Sequence, residues 1–255
     1  MYIVYREKKV FYTRKKAKGI PTLFLHGWGC DGKSLKALAK DKNAILIDFP
    51  PFGKSQSPNH VYTLFDYVNI VLKILEKENV EKVDVIAHSF GGRVALELAN
   101  MGVVNKLVLM GSAGLKPRFS IKKYIAKIKY KRAKYLVKKG ILPESHLDKY
   151  GSSDYKTLSP DMKKTFVNIV NFYQNDILKY INCDTLLLWG KEDKETPISY
   201  AKTFAKNIKN SAVIYFENSG HFAYLQKNYE HCLIINNFLK DWLWNFFLQL
   251  ILICT

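Results

Sequence analysis

Short apolar runs alternate with amphipathic stretches along most of this 255-residue chain. The runs at 21–25, 44–48, 82–87, 106–110, 185–189 and 212–216 are rich in Val, Ile and Leu and bounded by turn residues, which predicts buried strands. Residues 2–5 and 9–13 predict a short hairpin ahead of them. Between the strands the apolar period changes. Phe65, Val68, Leu72 and Leu75 recur at helical spacing over 64–77. Further helices are predicted over 34–39, 91–99 and 199–207, and one after the last strand. Strands alternating with helices require crossover connections and a parallel sheet. Strands that are apolar almost throughout are covered on both faces. The fold class is therefore α/β, a mostly parallel central sheet with helices on both faces.

The alternation stops after Gly114. A basic, tyrosine-rich stretch of helical character follows, broken at Pro117, Gly140, Pro143, Gly151 and Pro160. The pattern predicts one α/β core made of residues 1–114 and 181–240, interrupted by a helical insertion at 115–180. Residues 241–255 form an apolar C-terminal extension. As a helix, its final 14 residues, WLWNFFLQLILICT, would reach roughly 21 Å, short of the ~30 Å hydrocarbon core of a bilayer. Buried or interfacial packing is expected of this tail rather than a membrane span.

Composition narrows the class further. Apolar residues at 48% and charged residues at 24% are ordinary for a globular protein. The four cysteines, Cys30, Cys183, Cys232 and Cys254, show neither a C-x-x-C pair nor zinc-ligand spacing with histidine. They read as free thiols in a reducing, cytoplasmic setting, and no metal or cofactor is expected. The N-terminus MYIVYREKKVFYTRKK lacks the apolar core of a secretory signal. The net charge of +18 is large. Residues 115–150 alone hold 12 lysines and arginines against two acids, Glu144 and Asp148. That stretch reads either as a solvated helix face or as a docking face for an acidic partner such as a carrier protein. Nucleic acid is not expected, because no groove-reading motif or stacking platform accompanies the charge.

Candidate chemistry sits at the strand ends, where open α/β sheets place their ligands. VDVIAHSFGG carries a strand straight into Ser89 and a glycine-lined corner. WGKEDKETP follows the strand at 185–189 and brings Asp193, with Glu192 and Glu195 as competing acids. SGHF follows the last strand and brings His221. A serine, a carboxylate and a histidine on one rim can form an activated nucleophile, its base and the group that orients the base. The turn HGWG follows the first buried strand. Its Trp28 and the residue after the serine, Phe90, can offer two backbone N–H donors to a developing oxyanion. Gly27 and Gly29 let that backbone approach a ligand. His26 reads as a structural hydrogen-bonding residue.

HGWG at 26–29, DFPPFGKS at 48–55, AHSFGG at 87–92, GSAG at 111–114, WGKEDKETP at 189–197 and SGHF at 219–222 occur in the order found in α/β-hydrolases. Together they resemble that superfamily, in the branch of small lidded serine esterases, prolyl iminopeptidases and carbon–carbon bond hydrolases. The resemblance implies Ser89 as nucleophile, Asp193 as acid, His221 as base and Trp28 and Phe90 as oxyanion donors. It implies an esterase-like serine hydrolase acting on a small ester or acyl substrate, and makes 115–180 a lid. Gly27, Trp28, Phe90 and the lid aromatics Phe119, Tyr124 and Phe172 are then the expected substrate contacts, with Tyr130, Tyr135, Phe166 and Tyr173 as further wall candidates. Carbon–carbon bond hydrolysis, peptidase or acyl-transfer chemistry, and slow-turnover ligand binding, are the alternatives. The chain departs from the family pattern at Ala87, where the elbow motif usually has glycine, and at Pro51 in the turn after the second buried strand.

Overall fold

The computed structural model describes residues 1–117, 121–150, 155 and 158–240. Eight strands form one sheet: β1 (Tyr2–Tyr5), β2 (Lys8–Lys15), β3 (Thr22–Leu25), β4 (Ala44–Ile47), β5 (Val83–His88), β6 (Val104–Met110), β7 (Asp184–Gly190) and β8 (Ser211–Phe216). Their order is β1-β2-β4-β3-β5-β6-β7-β8. The pairs β1–β2 and β2–β4 are antiparallel and every other pair is parallel. Strand β5 lies at the centre and is buried at all six positions.

Alternation along the strands divides the core in two. Val85, Ala87, Leu107, Leu109, Leu187 and Trp189 face one layer, where α1 (Leu64–Lys77), α2 (Phe90–Asn100) and α5 (Ile198–Asn207) contribute Ile74, Val94, Leu98 and Phe204. Ile86, Val108, Leu186 and Leu188 face the other, where α6 (Ala223–Gln226) and α7 (Asn228–Leu239) supply Tyr224, Ile235 and Phe238. The expected helix at 34–39 is a 3-10 helix, Gly32–Ala39, opened by Asp31, whose carboxylate accepts the Lys33 N–H at 2.9 Å. Strand β2 also runs past the expected Thr13. Charge hid this extension: Arg14 and Lys15 pair with Ile45 and Ala44 of β4, and the Arg14 guanidinium is neutralised by Glu78 at 3.2 Å.

Between β6 and β7 the chain forms α3 (Ile121–Lys138), a 3-10 turn at Glu144–Lys149, α4 (Pro160–Val170) and a second 3-10 turn at Asn175–Tyr180. Ser159 caps α4 with Pro160 in its first turn. The end of this segment is fastened to α2. Arg93, buried on α2, donates to the carbonyls of Phe172 and Val170. Gln174 Nε2 donates to the Arg93 carbonyl at 2.9 Å and to Glu97 Oε1 at 2.8 Å. Burial pushes the Arg93 guanidinium down to about 10. Among the described residues no helix is long and apolar enough to cross a membrane. The tail 241–255 lies outside the described residues.

Helix α2 starts where it does because two glycines let it touch the sheet. A Cβ at Gly91 would fall 2.2 Å from the Leu25 carbonyl oxygen, and one at Gly92 2.0 Å from Ser112 Oγ. A Cβ at Gly220 would meet nothing within 4 Å. Gly91→Ala is therefore expected to cost at least about 1–3 kcal/mol by overpacking against backbone. Gly220→Ala should stay within about 0.5 kcal/mol. Urea denaturation of the two variants measures the difference.

Candidate active site

The corner between β5 and α2 holds Ser89 at φ 49 and ψ −110. A non-glycine residue in that region costs about 1–3 kcal/mol and persists only where its surroundings impose it. Here they do. The Ser89 N–H donates to the Met110 carbonyl at 3.1 Å, and its carbonyl accepts from Gly92 N at 3.0 Å and Ala113 N at 3.1 Å. The backbone is held on both sides while the side chain stands half-buried at the carboxyl edge of the sheet. Among the described residues its hydroxyl makes no hydrogen bond. Ala87 is fully buried, so a methyl fits where the elbow motif usually has glycine.

Asp193 and His221 arrive from the ends of β7 and β8 and meet on the same edge. Asp193 Oδ2 lies 2.8 Å from His221 Nδ1. The carboxylate is itself fixed: Oδ1 accepts the N–H groups of Glu195 and Thr196, each at 2.9 Å, and Oδ2 accepts the Thr196 hydroxyl at 2.8 Å. Burial pushes the Asp193 carboxyl up, but the hydrogen bond and charge of His221 and the Thr196 donors outweigh it and hold the group below the usual carboxylate range. Glu192 and Glu195 are exposed, so of the three neighbouring acids only Asp193 reaches the imidazole. Thr196, invisible as a site residue in sequence, places the same hydroxyl 3.0 Å from the Gly111 carbonyl, so that its one proton is shared between Asp193 and Gly111 and joins the β6 and β7 ends. The His221 ring is 4.7 Å from that of His88, the residue before Ser89, which sets the imidazole beside the corner.

The turn after β3 forms the opposite wall. His26 is fully buried; its Nε2 accepts the Phe49 N–H at 2.8 Å while Nδ1 lies 2.7 Å from the Gly27 carbonyl. This clips the turn to the β4 exit, where Pro50–Pro51 is a cis peptide and Asp48 accepts Gly32 N and Lys54 N at 2.9 and 2.8 Å. Pro51 is thus accommodated within a bonded turn. Among the described residues nothing accepts a hydrogen bond from the backbone N–H of Trp28 or of Phe90, leaving two donors open. Their side chains meet edge to face at 5.4 Å. Phe52 and Phe166 each lie 5.1 Å from the Trp28 ring.

The aromatic residues expected to line the pocket divide. Phe166 on α4 is the one that reaches Trp28. Phe172 instead meets Phe65 of α1 at 5.6 Å, because the Arg93 bonds pull its backbone onto α2. Tyr124 on α3 is 54% exposed. Phe119 lies outside the described residues.

The model of the alpha/beta hydrolase family matches residues 22–230. The uncharacterized hydrolase YugF of Bacillus subtilis is 26% identical over 241 residues, covering 83% of this chain and 87% of that protein. The 2-hydroxymuconate semialdehyde hydrolase of Pseudomonas putida is 24% identical, covering 89% of each. An esterase from Exiguobacterium antarcticum superposes with a TM-score of 0.72 at 22% identity, covering 92% of this chain and 96% of that one. A fold with this strand order, matched by the family model over most of its length, has one assignment: the chain is an enzyme of the alpha/beta hydrolase family.

Proposed function

We propose that this enzyme is a serine hydrolase that cleaves carboxylic esters through an acyl-enzyme, with Ser89 as nucleophile, His221 as general base and acid, and Asp193 as the group that orients it. The observation that carries the reading is the 2.8 Å contact between His221 Nδ1 and the buried Asp193 carboxylate, on the edge where strained Ser89 stands. An acceptor at Nδ1 puts the proton there and leaves Nε2 as the basic nitrogen. Serine–histidine bonds are often long without substrate and tighten in the complex.

The steps follow from these positions. Ser89 Oγ attacks the ester carbonyl as His221 Nε2 takes its proton. The carbonyl π pair moves to oxygen, where the Trp28 and Phe90 N–H groups receive it. Each such donor is worth about 2.7–4 kcal/mol of barrier. The C–O bond to the alcohol then breaks, and the departing oxygen takes the proton from Nε2. Water, deprotonated by the same nitrogen, attacks the acyl carbonyl and releases the acid and Ser89. The insertion at 115–180 is the lid, with Phe166 against Trp28 forming an apolar wall for the acyl group.

A second reading, hydrolysis of a carbon–carbon bond beside a ketone, is favoured by the relatives. Several are named as hydrolases of 2-hydroxy-6-oxo dienoates. The same residues would serve it.

Ser89→Ala and His221→Ala are each expected to lower turnover by roughly 10⁴–10⁶ with little change in melting temperature. A fluorophosphonate probe should label the native chain stoichiometrically at Ser89 and leave Ser89→Ala unlabelled; a folded native chain that takes no label removes the acyl-enzyme. Asp193→Asn should cost about 10⁴ in kcat through the wrong tautomer, and an Asp193→Asn variant as active as the native chain transfers the acid role elsewhere. p-Nitrophenyl esters of rising chain length, run beside a 2-hydroxy-6-oxo dienoate, decide the reaction: faster turnover of the dienoate favours the carbon–carbon reading.

A further inference from the structure

His88 ends the central strand one residue before Ser89 and is 1% exposed. Its Nε2 lies 2.9 Å from the main-chain carbonyl oxygen of His221. A carbonyl oxygen can only accept, so Nε2 carries the proton and donates. Nδ1 is then bare, and it is buried with no hydrogen-bond partner. The ring is fixed on every side. It lies 4.7, 5.1 and 4.8 Å from the rings of His221, Phe222 and Tyr224. Gly27 is close as well: a Cβ there would come within 2.7 Å of Nδ1. A side chain at 27 would therefore displace the ring.

From this arrangement we propose that His88 is a positioning residue: its Nε2–H grips the His221 carbonyl and holds the loop that carries the imidazole in register with the Ser89 corner. Touching no substrate, it acts through the His221 backbone, and the inference rests on the serine-hydrolase reading above. Three features suit it to the task. It sits on a strand buried at all six positions, so the anchor does not move with the surface. Its grip is on the main chain, so the His221 side chain keeps its bond to Asp193 and its Nε2 for shuttling a proton. It stays neutral: burial, and next the charge of His221, hold its imidazole down to about 3. A second proton, which would convert the lone pair at Nδ1 into an unpaired buried cation, is thereby refused, and the donor at Nε2 is constant as His221 charges and discharges beside it. The alternative of a plain core histidine needs no directed bond; here the single N–H goes to the residue whose placement the chemistry needs.

The test compares His88→Gln, whose amide nitrogen reaches close to the place of Nε2, with His88→Met, similar in size and without a donor. His88→Asn, whose shorter amide cannot reach the carbonyl, repeats the loss with a polar side chain. Two readouts are taken on the full chain: the rate of fluorophosphonate labelling at Ser89, and the downfield proton resonance of the His221–Asp193 hydrogen bond. A displacement of the base by about 1 Å costs about 100-fold. His88→Met and His88→Asn are expected to label about 10- to 100-fold more slowly, with the resonance lost to exchange. His88→Gln should keep the resonance and most of the rate, and KM for an ester should change little in all three. Labelling of His88→Met or His88→Asn at the native rate overturns the proposal, and so does a His88→Gln as slow as they are. A native chain that takes no label defeats the hydrolase reading instead. In that event the resonance alone decides: kept equally in His88→Met and His88→Asn, it overturns the grip on His221.

Discussion

The site depends on how closely helix α2 approaches strand β3. With Gly91 almost in contact with the Leu25 carbonyl, the chain has no room for an ordinary loop between β5 and α2. It must turn within one residue, and that residue is forced to φ 49. The strain at Ser89 is thus a result of packing, maintained by the burial of a central strand and a helix that is buried at ten of its eleven positions. The same contact fixes what faces the corner. Leu25 is followed at once by the HGWG turn, so the closeness that strains Ser89 also brings Trp28 against Phe90, their rings 5.4 Å apart.

The other half of the site is electrostatic. Asp193 and His221 are 28 residues apart in sequence, yet each is delivered by a parallel strand ending on the same edge. A buried carboxylate is costly unless several donors serve it. Asp193 has the Glu195 and Thr196 N–H groups, the Thr196 hydroxyl and the imidazole. Removing the imidazole would leave the acid with its other donors, whereas removing the acid would leave the imidazole without its orienting partner.

Sequence alone showed much of this, for a physical reason: strand ends, a strained corner and glycine turns demand particular residue types at particular spacings. Ser89, Asp193 and His221 were readable because each follows a buried apolar run. What sequence could not show depends on packing across distant segments. Thr196 looks like any residue before a proline until its hydroxyl is seen between Asp193 and Gly111. Phe166 and Phe172 look equivalent on paper; only the bonds from Arg93 separate the one against Trp28 from the one against Phe65. Strand β2 outruns its apolar pattern because Glu78, far along the chain, neutralises Arg14.

The fastening of the insertion to α2 has a consequence for how the molecule can deform. Arg93 sits in a dry place with carbonyl oxygens from residues 170 and 172 as its acceptors. Lifting that end of the insertion would break both bonds of a buried guanidinium, a cost added to that of parting two oily surfaces. The far root of the insertion is accordingly tied to the core by a set of bonds that must break together, since Gln174 is bonded to the same stretch of α2 as Arg93.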